Sequence, residues 1–360
     1  MSKIKNTRVV DVGGVKLGGN NPVVAQSMTN TKTSDVEATL DQIERLVGRG
    51  CELVRVAVPD SEAGRRLKEI VDRSPVPIIA DIHYSPDLAF MALEAGVDKL
   101  RLNPGNITDE KAIGDIATEA SSRGVPIRVG VNSGSLDKEI VENYGRTPEA
   151  MVVSAEREIG LLEDQGFKDI VVSLKSSEVV KTIEANEVFS EKYDYPLHLG
   201  VTEAGGGRSG LVKSAVGIGS LLEKGIGDTI RVSLTADPEE EVGAAYDILR
   251  SLDLRHRGVE LVSCPTCGRT EVDIQTMVRE LEKRLSDLEQ PLRVALMGCS
   301  VNGIGEAGSS DLGLVGTASG GVLYVDGEQE GLISSSSIEE VVDQLEERIR
   351  SYLEEGDQWK

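Results

Sequence analysis

Residues 53–102 read LVRVAVPDSEAGRRLKEIVDRSPVPIIADIHYSPDLAFMALEAGVDKLRL, and they decide the fold. Leu53–Val58, Pro77–Ile82 and Lys99–Leu102 are short runs rich in β-branched and aliphatic residues, the pattern of strands buried on both faces. Between them, Ser61–Val71 and Pro86–Glu94 carry apolar residues at helical spacing. Ser85-Pro86-Asp87 is a polar cap with an acidic first turn, and Gly96 marks a helix end. Strand, helix, strand, helix, strand within fifty residues predicts parallel strands joined by crossover helices.

The rhythm extends in both directions. Further strands are expected at Val23–Met28, Pro126–Val131, Ile170–Leu174, Leu197–Val201 and Thr229–Leu234, making eight. Helices are expected at Asp35–Val47 and Thr147–Glu163, with caps at Thr33-Ser34-Asp35 and Thr108-Asp109 and ends at Gly48-Arg49-Gly50, Gly124, Gly166 and Gly225. Eight such units in roughly 230 residues predict an α/β chain opening with a (β/α)8 TIM barrel. An open doubly wound sheet would carry a nucleotide-binding glycine fingerprint, and Gly205–Gly210, GGGRSG, does not fit the P-loop pattern. Residues 1–251 are therefore assigned to the barrel. Ser251–Gly258 reads as a charged linker, and residues 252–360 as a small α+β domain. Its expected strands are Val259–Val262, Leu292–Leu296 and Gly321–Val325, and its helices Glu271–Leu288 and Ile338–Leu353.

Composition narrows the function. With 39 basic and 61 acidic residues the formal charge is −22, which argues against nucleic acid as a partner. No run approaches the eighteen apolar residues of a membrane span, and the N-terminus lacks a signal-peptide core, so a cytoplasmic protein is expected. Four cysteines without a paired framework fit a reducing compartment. Aromatic residues make up 3%, leaving Val, Ile, Leu and Ala to fill the core.

Active sites of (β/α)8 barrels lie at the C-terminal ends of the strands. Polar residues at those ends are Arg55, Asp81, His83, Arg101, Asn103, Arg128, Asn132, Ser133, Ser173, Lys175, His198, Thr202, Glu203, Arg231 and Ser233. Four arginines and a lysine converging on one mouth need an anionic partner, and guanidinium forks match phosphate oxygens. Asn103, Asn132, Ser173 and Ser233 add neutral hydrogen bonds. Asp81 and Glu203 can serve as general acid or base, or as counter-ions to the arginines. A histidine at a strand end is ordinarily a packed, hydrogen-bonded residue. Cys51 precedes its strand, at the far face of the barrel, and reads as packing.

Three of the four cysteines lie in Ser263-Cys264-Pro265-Thr266-Cys267-Gly268 and Met297-Gly298-Cys299-Ser300-Val301-Asn302-Gly303-Ile304-Gly305-Glu306. A C-x-x-C knuckle presents two thiolates to a metal and Cys299 can supply a third. Structural zinc wants four closed ligands, and this set is one short. Three thiolates suit an iron–sulfur cubane, whose fourth iron takes a weaker and exchangeable ligand. Glu306, seven residues after Cys299 across a Gly-x-Gly segment expected to be flexible, is a candidate for it, or else a solvated glutamate.

These two segments resemble the 4-hydroxy-3-methylbut-2-enyl diphosphate synthase family in its short bacterial form. Val54-Arg55-Val56-Ala57, Ala80-Asp81-Ile82-His83-Tyr84, Leu100–Asn106, Arg128–Ser135 and His198–Gly205 support the resemblance, which covers nearly the whole chain. It implies one 4Fe–4S cluster per chain held by Cys264, Cys267, Cys299 and Glu306. It implies a cyclic diphosphate substrate, 2-C-methyl-D-erythritol 2,4-cyclodiphosphate, opened and dehydroxylated by two electrons from flavodoxin or ferredoxin. Within it Arg55, Arg101, Arg128, Lys175 and Arg231 are expected to hold the diphosphate, assisted by Asn103, Asn132 and Ser233. Glu203 is expected to protonate the leaving hydroxyl. The family also implies a head-to-tail homodimer. Two rivals are a phosphate-binding barrel of the dihydropteroate synthase type with a structural zinc module, and a pure electron carrier, which would not need the cationic mouth.

Overall fold

A computed structural model describes residues 7–83, 85–102, 109–317, 320–335 and 337–357. The chain divides into two compact units, Met1–Arg255 and His256–Lys360.

The first unit opens with a hairpin, β1 (Val10–Val12) and β2 (Val15–Leu17), turning through Gly13 and Gly14 at φ 57° and 92°. A left-handed pair at a two-residue turn is the use to which Gly-Gly is suited. Val10, Val12 and Leu17 pack against Val24, Leu53, Ile79 and Val171, which lie at or near the starts of four barrel strands, so the hairpin plugs that end. The sequence pattern had not suggested this hairpin, although Gly-Gly between two alternating runs is its signal.

Eight parallel strands follow: β3 (Val24–Met28), β4 (Leu53–Val58), β5 (Ile78–Ile82), β6 (Lys99–Leu102), β7 (Ile127–Asn132), β8 (Ile170–Lys175), β9 (His198–Leu199) and β10 (Thr229–Ile230). They pair in the order β8-β7-β6-β5-β4-β3-β10-β9, and a parallel bridge between Val172 and Leu197 closes the ring. Helices α1 (Val36–Gly48), α2 (Ser61–Arg73), α3 (Pro86–Ala95), α4 (Glu110–Arg123), α5 (Lys138–Tyr144), α6 (Pro148–Glu163), α7 (Val179–Lys192), α8 (Gly207–Glu223) and α9 (Pro238–Ser251) make the connections. The expected TIM barrel is the observed one. Caps stand where the sequence put them: Asp35 accepts from the Ala38 amide at 3.2 Å, and Asp109 from the Lys111 amide at 3.0 Å. β9 and β10 are shorter than expected. Beyond them a Cβ on Gly200 would stand 2.6 Å from both the Arg231 carbonyl and Lys175 Nζ, so glycine there leaves room for both. Arg255 donates to the Val23 carbonyl at 3.0 Å and to Glu52 at 2.5 Å, which ties the start of the linker to the barrel.

The second unit is a five-stranded mixed sheet in the order β11 (Val259–Ser263), β12 (Leu292–Met297), β13 (Leu312–Thr317), β14 (Gly320–Val325) and β15 (Glu328–Ser334). The first three strands are parallel and the last two antiparallel. On one face Val294, Leu296, Leu312 and Leu314 form a core with α10 (Ile274–Arg284) and α12 (Ile338–Asp357). On the other lies α11 (Ser300–Gly308), where a Cβ on Gly303 would come within 2.8 Å of Val315 and one on Gly313 within 2.4 Å of Ala307. The Gly-x-Gly segment Gly303–Gly305, expected to be flexible, is thus helical. Gly303 lets α11 lie close to the sheet. α10 is shorter than expected, because Asp273 caps it through the Thr276 amide and the Glu271 amide is held by the Gly298 carbonyl. No helix among the described residues is long and apolar enough to cross a membrane.

Candidate active site

Strand alternation sends every second residue into the barrel. Val54, Val56, Leu100, Leu102 and Val129 join the core under the helices. Their neighbours Arg55, Lys99, Arg101 and Arg128 face inward and are buried, as are Asp81, Ser173, Lys175 and His198 on β5, β8 and β9. Arg231, just past β10, is half-buried. The register sets Asp81 beside Arg101 and Arg101 beside Arg128 across three strands.

Asp81 is the hub. Arg101 Nη1 donates to its Oδ1 at 2.9 Å, and Arg55 Nε lies 3.7 Å from its Oδ2. His83 Nε2 is 2.8 Å from Arg101 Nη1 and 3.4 Å from Asp81 Oδ1. Burial works to raise the Asp81 pKa, but Arg55, the His83 hydrogen bond and Arg101 outweigh it and hold the carboxyl well below its usual range. On the other side Arg231 Nη2 reaches Glu241 at 3.4 Å, while Glu241 also accepts from the Leu234 amide at 2.8 Å. Met28 contributes a neutral acceptor: its sulfur is 3.1 Å from Arg55 Nε and 3.6 Å from Arg231 Nη1.

Among the described residues, six basic side chains, Arg55, Lys99, Arg101, Arg128, Lys175 and Arg231, thus surround two carboxylates, Asp81 and Glu241. Arg128 Nε and Nη1, Arg101 Nε, Arg231 Nε and Lys99 Nζ are buried without a hydrogen-bond partner. Burial, partly offset by Asp81, pulls the Arg55 guanidinium down to about 10. Burial, then repulsion from Arg55 and Arg101, pushes Arg128 well down, and burial with repulsion from Arg128 and Arg55 does the same to Lys175. Buried donors are normally satisfied, so orphan donors clustered at one strand end describe a place for acceptor oxygens.

Asn132 and Ser233 lie at the same strand ends, half-buried, and Ser133 hydrogen-bonds Ser176 at 3.0 Å. Glu203 follows β9, exposed, at a left-handed φ of 47° that glutamate rarely adopts. Asn103 falls outside the described residues. Cys51 is buried at the opposite end, its sulfur 3.2 Å from the Leu53 carbonyl, which is packing as expected. His198 is packed but not hydrogen-bonded as expected: neither ring nitrogen has a partner. Sequence reading missed Lys99, Met28 and Glu241. Lys99 had a signal, since Lys99 and Arg101 alternate on one strand; Glu241 lies on a helix and had none.

In the second unit, Cys264 and Cys299 leave neighbouring parallel strands at the same end, with Ser263 registered against Leu296. The Gly298 amide donates to Cys264 Sγ at 3.2 Å. The Cys267 amide donates to Thr270 Oγ1 at 3.1 Å, and hydrogen bonds from the Arg269 amide and then Thr270 lower the Cys267 thiol pKa. Cys299 is the N-cap of α11, where the helix dipole favours negative charge. Glu306 is on that helix, half-buried, two turns on and so on the same face, about 10 Å along the axis. Among the described residues no three His, Cys, Asp or Glu side chains gather round one metal ion. A cubane asks something else, since each terminal ligand serves a different iron. Amide donors to sulfur, and a half-buried glutamate on the helix that Cys299 starts, fit that requirement.

The GcpE TIM-barrel domain matches residues 7–246 and the GcpE protein C-terminal domain residues 260–351. The chain belongs to the GcpE family. A GcpE relative from Persephonella marina, named 4-hydroxy-3-methylbut-2-en-1-yl diphosphate synthase (flavodoxin), is 53% identical over 97% of this chain and 99% of its own. The protein of that name from Aquifex aeolicus is 51% identical over 99% of both chains. Among solved structures, Yersinia pestis dihydropteroate synthase overlaps 68% of this chain and 98% of its own at 11% identity with a TM-score of 0.48. A likeness that distant carries no argument. The two GcpE segments fall one on each unit, the cationic mouth within the first and the three thiols within the second.

Proposed function

We propose that the barrel binds the diphosphate of its substrate through the cationic mouth, and that Cys264, Cys267, Cys299 and Glu306 hold one 4Fe–4S cluster per chain. The chain is an oxidoreductase of the GcpE family: it opens 2-C-methyl-D-erythritol 2,4-cyclodiphosphate and removes a hydroxyl, giving 4-hydroxy-3-methylbut-2-enyl diphosphate and water. Two electrons enter, a ring C–O bond to phosphate breaks, and a hydroxyl leaves as water while a double bond forms. The observation that carries the reading is the set of orphan guanidinium donors on Arg101, Arg128 and Arg231 around a deficit of carboxylates.

Arg55, Arg101, Arg128, Lys175 and Arg231 bind the phosphate oxygens, with Asn132, Ser233 and Asn103 orienting them. Asp81, held ionised by Arg55, the His83 hydrogen bond and Arg101, is a poor proton donor; it fixes Arg55 and Arg101. Glu203 is the group that gives a proton to the departing hydroxyl oxygen. It is a carboxylate at a strand end in a rare backbone conformation, of the kind that fold stability alone does not favour. The cluster, when bound, supplies electrons one at a time. Flavodoxin, the donor in the names of the relatives, or ferredoxin is its reductant. The protein works in the cytoplasm as a head-to-tail homodimer, the cysteine unit of one subunit serving the barrel of the other.

Anaerobically purified protein is expected to be brown, with about four irons and four sulfides per chain. It should turn over the cyclodiphosphate with reduced flavodoxin. Zinc without sulfide, even after reconstitution with iron, overturns the cluster reading. Mixing an Arg128→Met chain with a Cys264→Ser chain should restore part of the activity; mixtures as inactive as either parent overturn the dimer.

A further inference from the structure

Lys99 is the one basic side chain of this cluster to which the diphosphate reading gives no role. It stands two residues before Arg101 on β6, so both side chains enter the barrel from one strand. Its side chain is fully enclosed and its Nζ has no hydrogen-bond partner. An unpaired ammonium in such a place is costly, which favours the neutral amine. Burial, then Arg128 and Arg55, push it in that direction. The other ionisable groups of the described residues around this interior are Asp81 on β5, His83 after it, Arg101 on β6, Lys175 on β8, His198 on β9, Arg231 after β10 and Glu241 on α9. Asp81 is already shared between Arg55 and Arg101, and no carboxylate hydrogen-bonds Lys99.

We propose that Lys99 is a proton-accepting residue of this site: its enclosed amine takes up a proton when a diphosphate seats on the neighbouring arginines. The inference rests on the diphosphate reading above. Negative charge seated on Arg55 and Arg128 offsets both the burial and the repulsion that disfavour the charged amine, and a protonated Lys99 in turn stabilises the bound anion. Binding and proton uptake are then linked. A lysine that only filled space with its methylene stem would show no such linkage.

The test is calorimetric titration of the full-length, cluster-loaded protein with inorganic pyrophosphate, at one pH in HEPES and in Tris. Protons taken up follow from the difference in buffer ionisation heat. Titration of pyrophosphate itself enters wild type and variant alike. Lys99→Met is expected to bind pyrophosphate with about one proton less uptake, and its Kd should rise less steeply with pH, by roughly tenfold per pH unit at most. Equal uptake in the two proteins overturns the inference alone; no binding by wild type overturns this and the diphosphate reading together. Should Lys99→Met not fold, NMR of 13Cε-labelled lysine decides, with Lys175→Met removing the other enclosed amine. The Lys99 signal should move from the neutral to the charged position on adding pyrophosphate, and a signal that stays overturns the proposal.

Discussion

The barrel mouth and the cysteine loops solve opposite problems. At the mouth, cations are buried together and held by β4, β6, β7 and β8 before any ligand arrives. In the second unit Cys267 is exposed, Cys264 and Cys299 are half-buried, and all three are free. Like charges repel, so a fold must impose their proximity and carry the cost in stability. Thiolates are drawn together by the metal they bind, so the fold need only bring the loops to one end of a sheet. On the proposed reading, the barrel is preorganised for its diphosphate, and the cysteine unit is to be completed by its cluster.

If this contrast holds, damage to one unit leaves the other's binding intact. Cys264→Ser should lose the cluster and reduce turnover at least a thousandfold, which corresponds to about 4 kcal/mol in the barrier. Pyrophosphate affinity should stay at the wild-type level; a loss there would break the division of labour. Asp81→Asn leaves Arg55 and Arg101 without their buried counter-ion and should cost about 3–5 kcal/mol in chemical unfolding. The folded Asp81 pKa lies below its ordinary value. Its contribution is therefore fully present above that ordinary value, roughly pH 4, and is lost as pH falls toward the folded one. The gap between wild type and Asp81→Asn should accordingly close in acid; a gap constant down to pH 2 would remove the counter-ion role.

Glu203→Gln should lower kcat by about 10²- to 10⁴-fold with pyrophosphate Kd unchanged, the signature of a lost proton donor. An unchanged rate would sink that assignment. Arg128→Met should weaken pyrophosphate binding about a hundredfold, from two charge-assisted hydrogen bonds, and leave iron and sulfide content untouched. The smallest effect sharpens the comparison on the cysteine side. Gly303→Ala puts a methyl within 2.8 Å of Val315 and should cost about 1–3 kcal/mol of stability. It should also make the cluster more labile to oxygen by displacing α11 from β13. Equal cluster lifetimes would show that α11 does not position the ligands.

The barrel was legible because its parallel strands are buried on both sides, so Leu53–Val58 and Lys99–Leu102 could be read to the residue. The mouth followed from the barrel rule, which turned scattered arginines into one cluster. The second unit resisted. Its strand β13, LGLVGT, carries two glycines that disguise it, and β15 is an edge strand largely in solvent. Gly303 and Gly305 suggested flexibility, whereas Gly303 permits close packing of a helix.

By itself the sequence determined the alternation that buries the strands, the caps that start the helices, the spacing of the thiols and the family. These are local or periodic properties, carried by neighbours in the chain. Only the tertiary structure decided that Asp81 is shared between Arg55 and Arg101, that Met28 lies between Arg55 and Arg231, that Glu241 reaches in from α9, and that Lys99 has no partner. Whether a buried charge is paired depends on residues brought together from distant parts of the chain, and no local pattern encodes that.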